Sequence, residues 1–347
     1  MVRRSDYGRT FTRNSGQHDM YAQICLIREA AERLVRELTR AEEWTDGWSK
    51  RQLAAAMVDT AIRRCLATVV ETGGWGTDNQ ILSHELWRIA GDWLGRGWLQ
   101  SRIRCKPRHL PGDDELLYRI IDQTVCSDPL GRTFDDYFLK QIGTVALRDR
   151  SELIANEVSR AYLRARPENY HIILFGGTSG CELVRFLQQV SPVWRGSIKM
   201  TVIHQDARNL ERIRLQLHGH AQPVSIVLQQ ENLFRIPDHA PPKIPSQKAD
   251  FLICPGQLDY VTDAAAPQWL SYLYNCLGMH GRMLVGNFGP TNPTRAYWEW
   301  IANWYLHYRD EDSLRRVSEA AGIPATQTRV ISDCYGVIRF LDIARGN

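Results

Sequence analysis

The chain has 347 residues, 44% of them hydrophobic and 24% charged, with 43 basic and 39 acidic side chains. A net charge of +4 provides no concentrated basic surface for nucleic acid. No apolar run reaches the ~18 residues that a membrane span needs. The eight cysteines (Cys25, Cys65, Cys105, Cys126, Cys181, Cys254, Cys276 and Cys334) are scattered without a CxxC pair. That spacing predicts free thiols in a reducing cytoplasm, not a disulfide frame or a zinc site.

Residues 1–20 are polar and basic, lack an apolar signal core, and read as a flexible tail. Residues 21–160 read as a helical domain. Ile24, Ile27, Ala31, Leu34 and Leu38 recur at steps of three and four, the stripe of an amphipathic helix. Further helices are expected over Ser49–Glu71 and Asn79–Leu94, with Gly73 and Gly74 breaking the chain between them. Six of the eleven tryptophans fall in this half, where they suit a core, a cap over an apolar substrate or a homodimer interface.

From residue 161 onward the pattern changes to short apolar runs of strand type. They cover Tyr170–Phe175, Lys199–His204, Val224–Leu228, Asp250–Cys254 and Arg282–Gly286, with helical stretches between them. This alternation predicts an α/β domain with a parallel sheet covered on both faces. Thr328–Ile331 and Val337–Ile343 are separated only by a turn and predict an antiparallel pair at the sheet edge.

Directly after Phe175 comes Gly176-Gly177-Thr178-Ser179-Gly180, followed by a helix. Such a turn lets backbone approach a ligand at the carboxyl ends of the strands; it is also a plain strand-to-helix turn. His204 and Asp206 end the second strand. Asp206 is placed to hold a ribose diol, to cap the next helix, or both. Glu231 and Asn232 after the third strand suit an adenine edge or a solvated loop. The loop does not fit the GxGxxG spacing of dinucleotide sites, and no phosphate-binding GxxxxGK[ST] run occurs. Glu182 would repel a pyrophosphate but is compatible with a zwitterionic methionine tail. His218 and His220 lack partners at ligand spacing, so no metal site is expected.

The order of strand, glycine loop, acid, third strand and Asp250-Phe-Leu-Ile-Cys254, then Leu277-Gly-Met-His-Gly281-Arg-Met-Leu-Val285, resembles the class I SAM-dependent methyltransferases. The last segment is similar to their L-x-P-G-G-x-L turn. The likeness implies a Rossmann-like sheet with an antiparallel edge pair, plus the N-terminal helical domain, and S-adenosyl-L-methionine as cofactor. A closer likeness lies outside the core. Lys106-Pro-Arg-His-Leu-Pro-Gly-Asp113 is similar to K-P-x-G-Y-x-G-D. Leu130–Phe138 and Ala146–Arg150 follow it. Asn287-Phe288, Asn292-Pro293, Glu299, Trp304, Tyr308 and Arg309 resemble an N-F…N-P…E…W…Y-R pattern. Together these resemble the bacterial family of 3-hydroxypalmitate methyl ester synthases over residues 100–345. The sequence departs from the pattern at Thr178, at His204 and at Met279-His280, which replaces P-G.

On that resemblance the SAM-binding domain spans residues 161–347. Phe175, Gly176, Gly177, Thr178, Gly180, Glu182, His204, Asp206, Glu231, Asn232, Pro255 and Gly256 are its expected cofactor residues. His307, Tyr308, Arg309, Glu299 and Asp113 are the candidates for catalysis. Arg309 suits a substrate carboxylate or a structural ion pair, His307 or Glu299 a base. The expected activity is O-methylation of a small-molecule carboxylate or hydroxyl. N-methylation of an amine, and cofactor binding without catalysis, are the alternatives.

Overall fold

A computed structural model describes residues 14–45, 47–109, 112–165, 167–177, 180–191, 196–218, 224–235 and 247–346. The elements run α1 (Asn14–Glu42), α2 (Trp48–Val70), α3 (Gln80–Leu94), α4 (Trp98–Cys105), α5 (Asp114–Ile121), α6 (Pro129–Lys140) and α7 (Ile142–Ala165). Then follow β1 (Asn169–Phe175), α8 (Cys181–Val190), β2 (Ser197–His204), α9 (Ala207–His218), β3 (Val224–Gln230), β4 (Ala249–Cys254), α10 (Ala266–Asn275), β5 (Leu277–Phe288), α11 (Glu311–Ala320), β6 (Thr328–Ser332) and β7 (Ile338–Ala344). No helix among the described residues is long and apolar enough to cross a membrane.

The chain forms two compact units that do not follow a single cut near residue 160. The first holds residues up to Cys105 together with Val125–Phe138 and Ala296–Tyr305. The second holds Lys106–Thr124, Leu139–Arg295 and Leu306–Asn347. Helix α1 starts at Asn14, so residues 14–20 are helical, not a tail.

In the helical unit, the stripe read in the sequence faces inward: Ile27, Ala31, Leu34 and Leu38 are buried on α1. The segment from residues 296–305 belongs to this unit. It forms a π-helical turn, Tyr297–Ile301, whose Trp298 and Trp300 are fully buried. Its freed carbonyls are satisfied by side chains. Ser83 Oγ donates to Trp300 O at 2.9 Å, and Trp87 Nε1 donates to Ile301 O at 2.8 Å. A buried turn of this kind leaves backbone groups that must find such partners.

In the second unit, seven strands form one sheet in the order β3-β2-β1-β4-β5-β7-β6. Neighbours β3, β2, β1, β4 and β5 run parallel, and β7 lies antiparallel between β5 and β6. The central strands are apolar on both faces because helices cover both. β3, at one edge, alternates instead between half-buried and exposed positions. β5 is longer than the Arg282–Gly286 run, since Leu277 already pairs with Ala249. This is the parallel sheet with an antiparallel edge pair that the strand pattern predicts, in the Rossmann-like form that the resemblance implies. It places the ends of β1, β2, β3 and β4 along one sheet edge.

His280 has φ 63° and Lys106, His109, Gln123 and Asn303 share the left-handed region. His280 stands where the L-x-P-G-G-x-L turn has glycine. Its side chain is exposed, so little packing is lost on truncation. A left-handed conformation costs a non-glycine residue about 1–2 kcal/mol, part of which glycine returns as unfolded-state entropy. His280→Gly is therefore expected to raise stability by up to about 1 kcal/mol, read from the denaturant midpoint; an unchanged or lower midpoint contradicts it.

His171 on β1 is buried at 1% exposure. Its Nδ1 lies 2.9 Å from Lys248 O and its Nε2 2.8 Å from Thr201 Oγ1. Nδ1 therefore carries a proton and donates to the carbonyl. Burial pushes its pKa below the usual value, with Lys199 adding to the effect and Lys248 O and Asp250 opposing it. A base with a depressed folded pKa stabilises above its unfolded pKa of about 6.5 and loses that stability as pH falls, by at most about 1.4 kcal/mol per pH unit. The stability margin of the wild type over His171→Asn should accordingly shrink between pH 7.5 and 5. A constant margin across that range contradicts the assignment.

Candidate cofactor site

The sheet ends Phe175 in a sharp turn. Gly176, Gly177 and Gly180 take φ of 76°, 61° and 62°, all left-handed. Thr178 and Ser179 lie outside the described residues. At Gly177 the need for glycine is double. A Cβ there would lie 2.7 Å from both methyls of Leu174 and from Glu182 Oε1. The Glu182 carboxylate therefore lies directly against bare backbone. It is buried at 4% exposure, and its Oε1 has no hydrogen-bond partner among the described residues. Burial raises its pKa, while Arg150 and Arg185 act in the opposite sense. An unpaired carboxyl oxygen buried beside a glycine loop is costly unless something else supplies a donor.

Arg150 is the cation nearest in effect to this carboxylate. Its Nη1 donates to Pro255 O at 3.0 Å, and it would lie 2.8 Å from a Cβ at Gly256. Burial lowers its pKa, and the carboxyls of Glu182 and Asp259 counter that. Asp259 completes the end of β4. Its Oδ1 accepts from Phe288 N at 2.7 Å, and burial pushes its pKa up to about 7. Gln257 reaches back over the loop, and a Cβ at Gly176 would lie 1.5 Å from its Nε2.

Beside this turn a cavity of about 950 Å³ opens at the ends of β2 and β3. Its walls include Arg108, Asp113, Asp114, His204, Asp206 and Asn232. Glu231 lines it as well, and its backbone N donates to His204 O at 3.1 Å. His204 accepts the Asp206 N–H on Nδ1 at 2.9 Å. Its burial lowers the ring's pKa, so the histidine is a neutral wall. Asp206 Oδ1 accepts from Arg208 N at 2.9 Å, so it caps α9 and lines the cavity at once. Asp113 likewise combines two roles: Oδ1 accepts Leu116 N at 2.9 Å, and the residue also lines the cavity. Phe175 is not part of the cavity wall: its ring is fully buried and meets Tyr272 edge-on at 6.1 Å.

The catalytic candidates are dispersed. Arg309 is 2% exposed and its donors are consumed internally. Nε reaches Asp263 at 2.9 Å, Nη1 reaches Leu258 O at 2.9 Å and Asn287 Oδ1 at 2.8 Å, and Nη2 reaches Val261 O at 2.6 Å. It ties together the loops after β4 and β5 and has no edge left for a substrate carboxylate. Glu299 belongs to the helical unit, fully buried, where Oε2 accepts Gly76 N at 2.7 Å. That contact satisfies a turn and does not suit a base. His307 is exposed, with its backbone N bonded to Asp259 O at 2.8 Å. Tyr308 lies under the Arg295 guanidinium, 4.6 Å from its ring centroid.

Arg108, Asp114, Arg150 and Asp259 emerge only from the structure. Arg150 left a trace in the sequence. It lies three and four residues from Leu147, Ala146 and Ile154, all buried on α7, so a charge sits on the apolar stripe.

Five parallel strands in the order 3-2-1-4-5, an antiparallel 7-6 extension and a glycine turn after the first strand define a Rossmann-like architecture. A structure of a possible exported protein from Bordetella parapertussis shares this fold, with TM-score 0.53 and 13% identity over 97% of this chain and 100% of that one. An O-methyltransferase family protein from Burkholderia thailandensis aligns with TM-score 0.47 and 16% identity, covering 95% of this chain and 96% of that one. Magnesium protoporphyrin IX methyltransferase from Synechocystis PCC 6803 with bound SAM aligns with TM-score 0.45 and 12% identity, covering 72% and 97%. No family model matches the chain, and no curated protein matches it in sequence.

Proposed function

We propose that this chain is a SAM-dependent methyltransferase acting on a small molecule, by O-methylation of a carboxylate or hydroxyl. The observation that carries the reading is Glu182. Its buried Oε1, without a hydrogen-bond partner among the described residues, lies against bare Gly177 at the end of β1, with Arg150 as the opposing charge. The residues fit the methyl donor. Glu182 would accept from its α-ammonium, Arg150 would face its α-carboxylate, Asp206 would take the ribose diol, and Asn232 or Glu231 the adenine edge. The pyrophosphate of a dinucleotide fits worse, because Glu182 would repel it.

When bound, S-adenosyl-L-methionine supplies an electrophilic sulfonium methyl group. The chain's part is to hold donor and acceptor in line and to exclude water. A carboxylate acceptor is already ionised near neutral pH and needs no proton acceptor. A hydroxyl needs one. His307 is the available candidate, since partial desolvation of its ring and the nearby Arg309 charge lower its pKa. The resemblance of Lys106–Asp113 and Asn287–Arg309 to the 3-hydroxypalmitate methyl ester synthase group supports the family reading, and both carboxylate and hydroxyl acceptors enter the test. Transfer of label from methyl-labelled donor to a panel of fatty acids, hydroxy acids and amines tests this. Labelled esters or ethers support the reading, with ester formation persisting below pH 6. Label on amines alone, with rate falling as pH drops, would contradict it.

A further inference from the structure

Lys106–Thr124, from the N-terminal half, belongs to the α/β unit and supplies one wall of the cavity. Its first turn is held by His109 N donating to Lys106 O at 2.8 Å, and its exit by the Asp113 cap on α5. Arg108 lies between. Its Nη1 donates both to Asp114 and, at 3.2 Å, to Asp206 Oδ2. Asp114 is a firm anchor: its side chain is 3% exposed, and Arg212 Nη1 lies 3.6 Å from its other oxygen. Arg212 is in turn stacked over Tyr118 at 4.4 Å. The rest of Arg108 remains available. Its Nε and Nη2 donors have no partner among the described residues, and its side chain is 26% exposed at the cavity wall.

Asp206 and Arg108 thus present an acceptor and a fixed donor edge side by side. A vicinal diol is complementary to that pair, because each hydroxyl both donates and accepts. We propose that Arg108 is a nucleoside-binding residue whose free guanidinium edge donates to the ribose oxygens while Asp206 accepts the hydroxyl protons. The inference rests on the donor-binding reading above. An arm remote in sequence from the glycine loop then completes the ribose subsite, and Asp114 is the positioning residue that keeps Arg108 in register. Lysine cannot replace it fully, since the three donors of an ammonium fall short of two carboxylates and both diol oxygens.

The test is calorimetric titration with S-adenosylhomocysteine and with its 2′-deoxy and 3′-deoxy counterparts, using wild-type protein, Arg108→Gln and Arg108→Lys. Circular dichroism melting checks that the variants fold. Loss of a hydrogen bond to a charged group predicts that Arg108→Gln weakens S-adenosylhomocysteine by about tenfold or more, with Arg108→Lys intermediate. Each deoxy analogue should lose less affinity on substitution than S-adenosylhomocysteine does, because one of the two hydroxyls that Arg108 meets is already gone. Equal weakening of all three ligands would make Arg108 a purely structural anchor and overturn the proposal. So would no weakening at all. Wild-type protein that binds none of them overturns the donor-binding reading itself, an outcome distinct from a wild type that binds and variants that bind equally.

Discussion

Glu182→Gln is expected to abolish high-affinity donor binding while leaving the protein folded. The carboxylate is buried, one oxygen has no partner among the described residues, and bare glycine backbone lies beside it. Its burial costs free energy in the empty protein, and an ammonium group would offset that cost. Removing one member of a buried charged pair typically loses 2–5 kcal/mol, a factor of roughly 30 to several thousand in affinity. Glutamine keeps the shape, so the folded protein gains or holds stability, because the charge whose burial raised the Glu182 pKa is gone. Calorimetry and melting together decide the point. A variant with unchanged affinity, or one that binds weakly only because it melts earlier, would remove Glu182 from the site.

Arg309→Met is expected to be the most destabilising single change in the loops after β4 and β5. Arg309 is 2% exposed and makes contacts to Asp263, Asn287 and two carbonyls. Methionine fills part of the volume but leaves Leu258 O, Val261 O and Asn287 Oδ1 without their donor. Breaking a buried hydrogen-bonded cation out of such a network typically costs about 3–5 kcal/mol. Asp263 is 84% exposed and returns to water at little cost. Asp263→Asn should therefore be nearly silent, which separates the carbonyl contacts from the ion pair. A stable Arg309→Met protein with lost methyl transfer would restore Arg309 to a role in substrate binding. A large drop in melting temperature, with methyl transfer falling only in proportion to the unfolded fraction, supports a framework role.

The sheet was legible in the sequence because its middle strands are buried on both faces. Runs such as Ile172–Phe175 and Leu252–Cys254 have no polar interruption. The glycine turn and Asp206 were legible for a related reason, since backbone that turns sharply and then starts a helix draws on few residue types. Charge burial was legible at Arg150, on the apolar stripe of α7, and not at Arg309 or Glu299. Arg309 and Glu299 carry the side chains of a site, and only their contacts reveal that each satisfies neighbouring backbone instead. Arg108 was missed for the opposite reason. It sits at a variable position of a recognisable string, and only the fold brings it to Asp206, 98 residues away. The glycine position beside it, His109 at φ 64°, shows why that string prefers glycine there.

The central claim is that the turn after β1 and the cavity beside it bind S-adenosyl-L-methionine. Isothermal titration of the purified chain with S-adenosyl-L-methionine, and in parallel with NAD and NADH, tests it most directly. Micromolar one-to-one binding of S-adenosyl-L-methionine alone, lost in Glu182→Gln and weakened in Asp206→Ala, is the predicted result. Binding of the dinucleotides with no heat from S-adenosyl-L-methionine at millimolar concentration would contradict it.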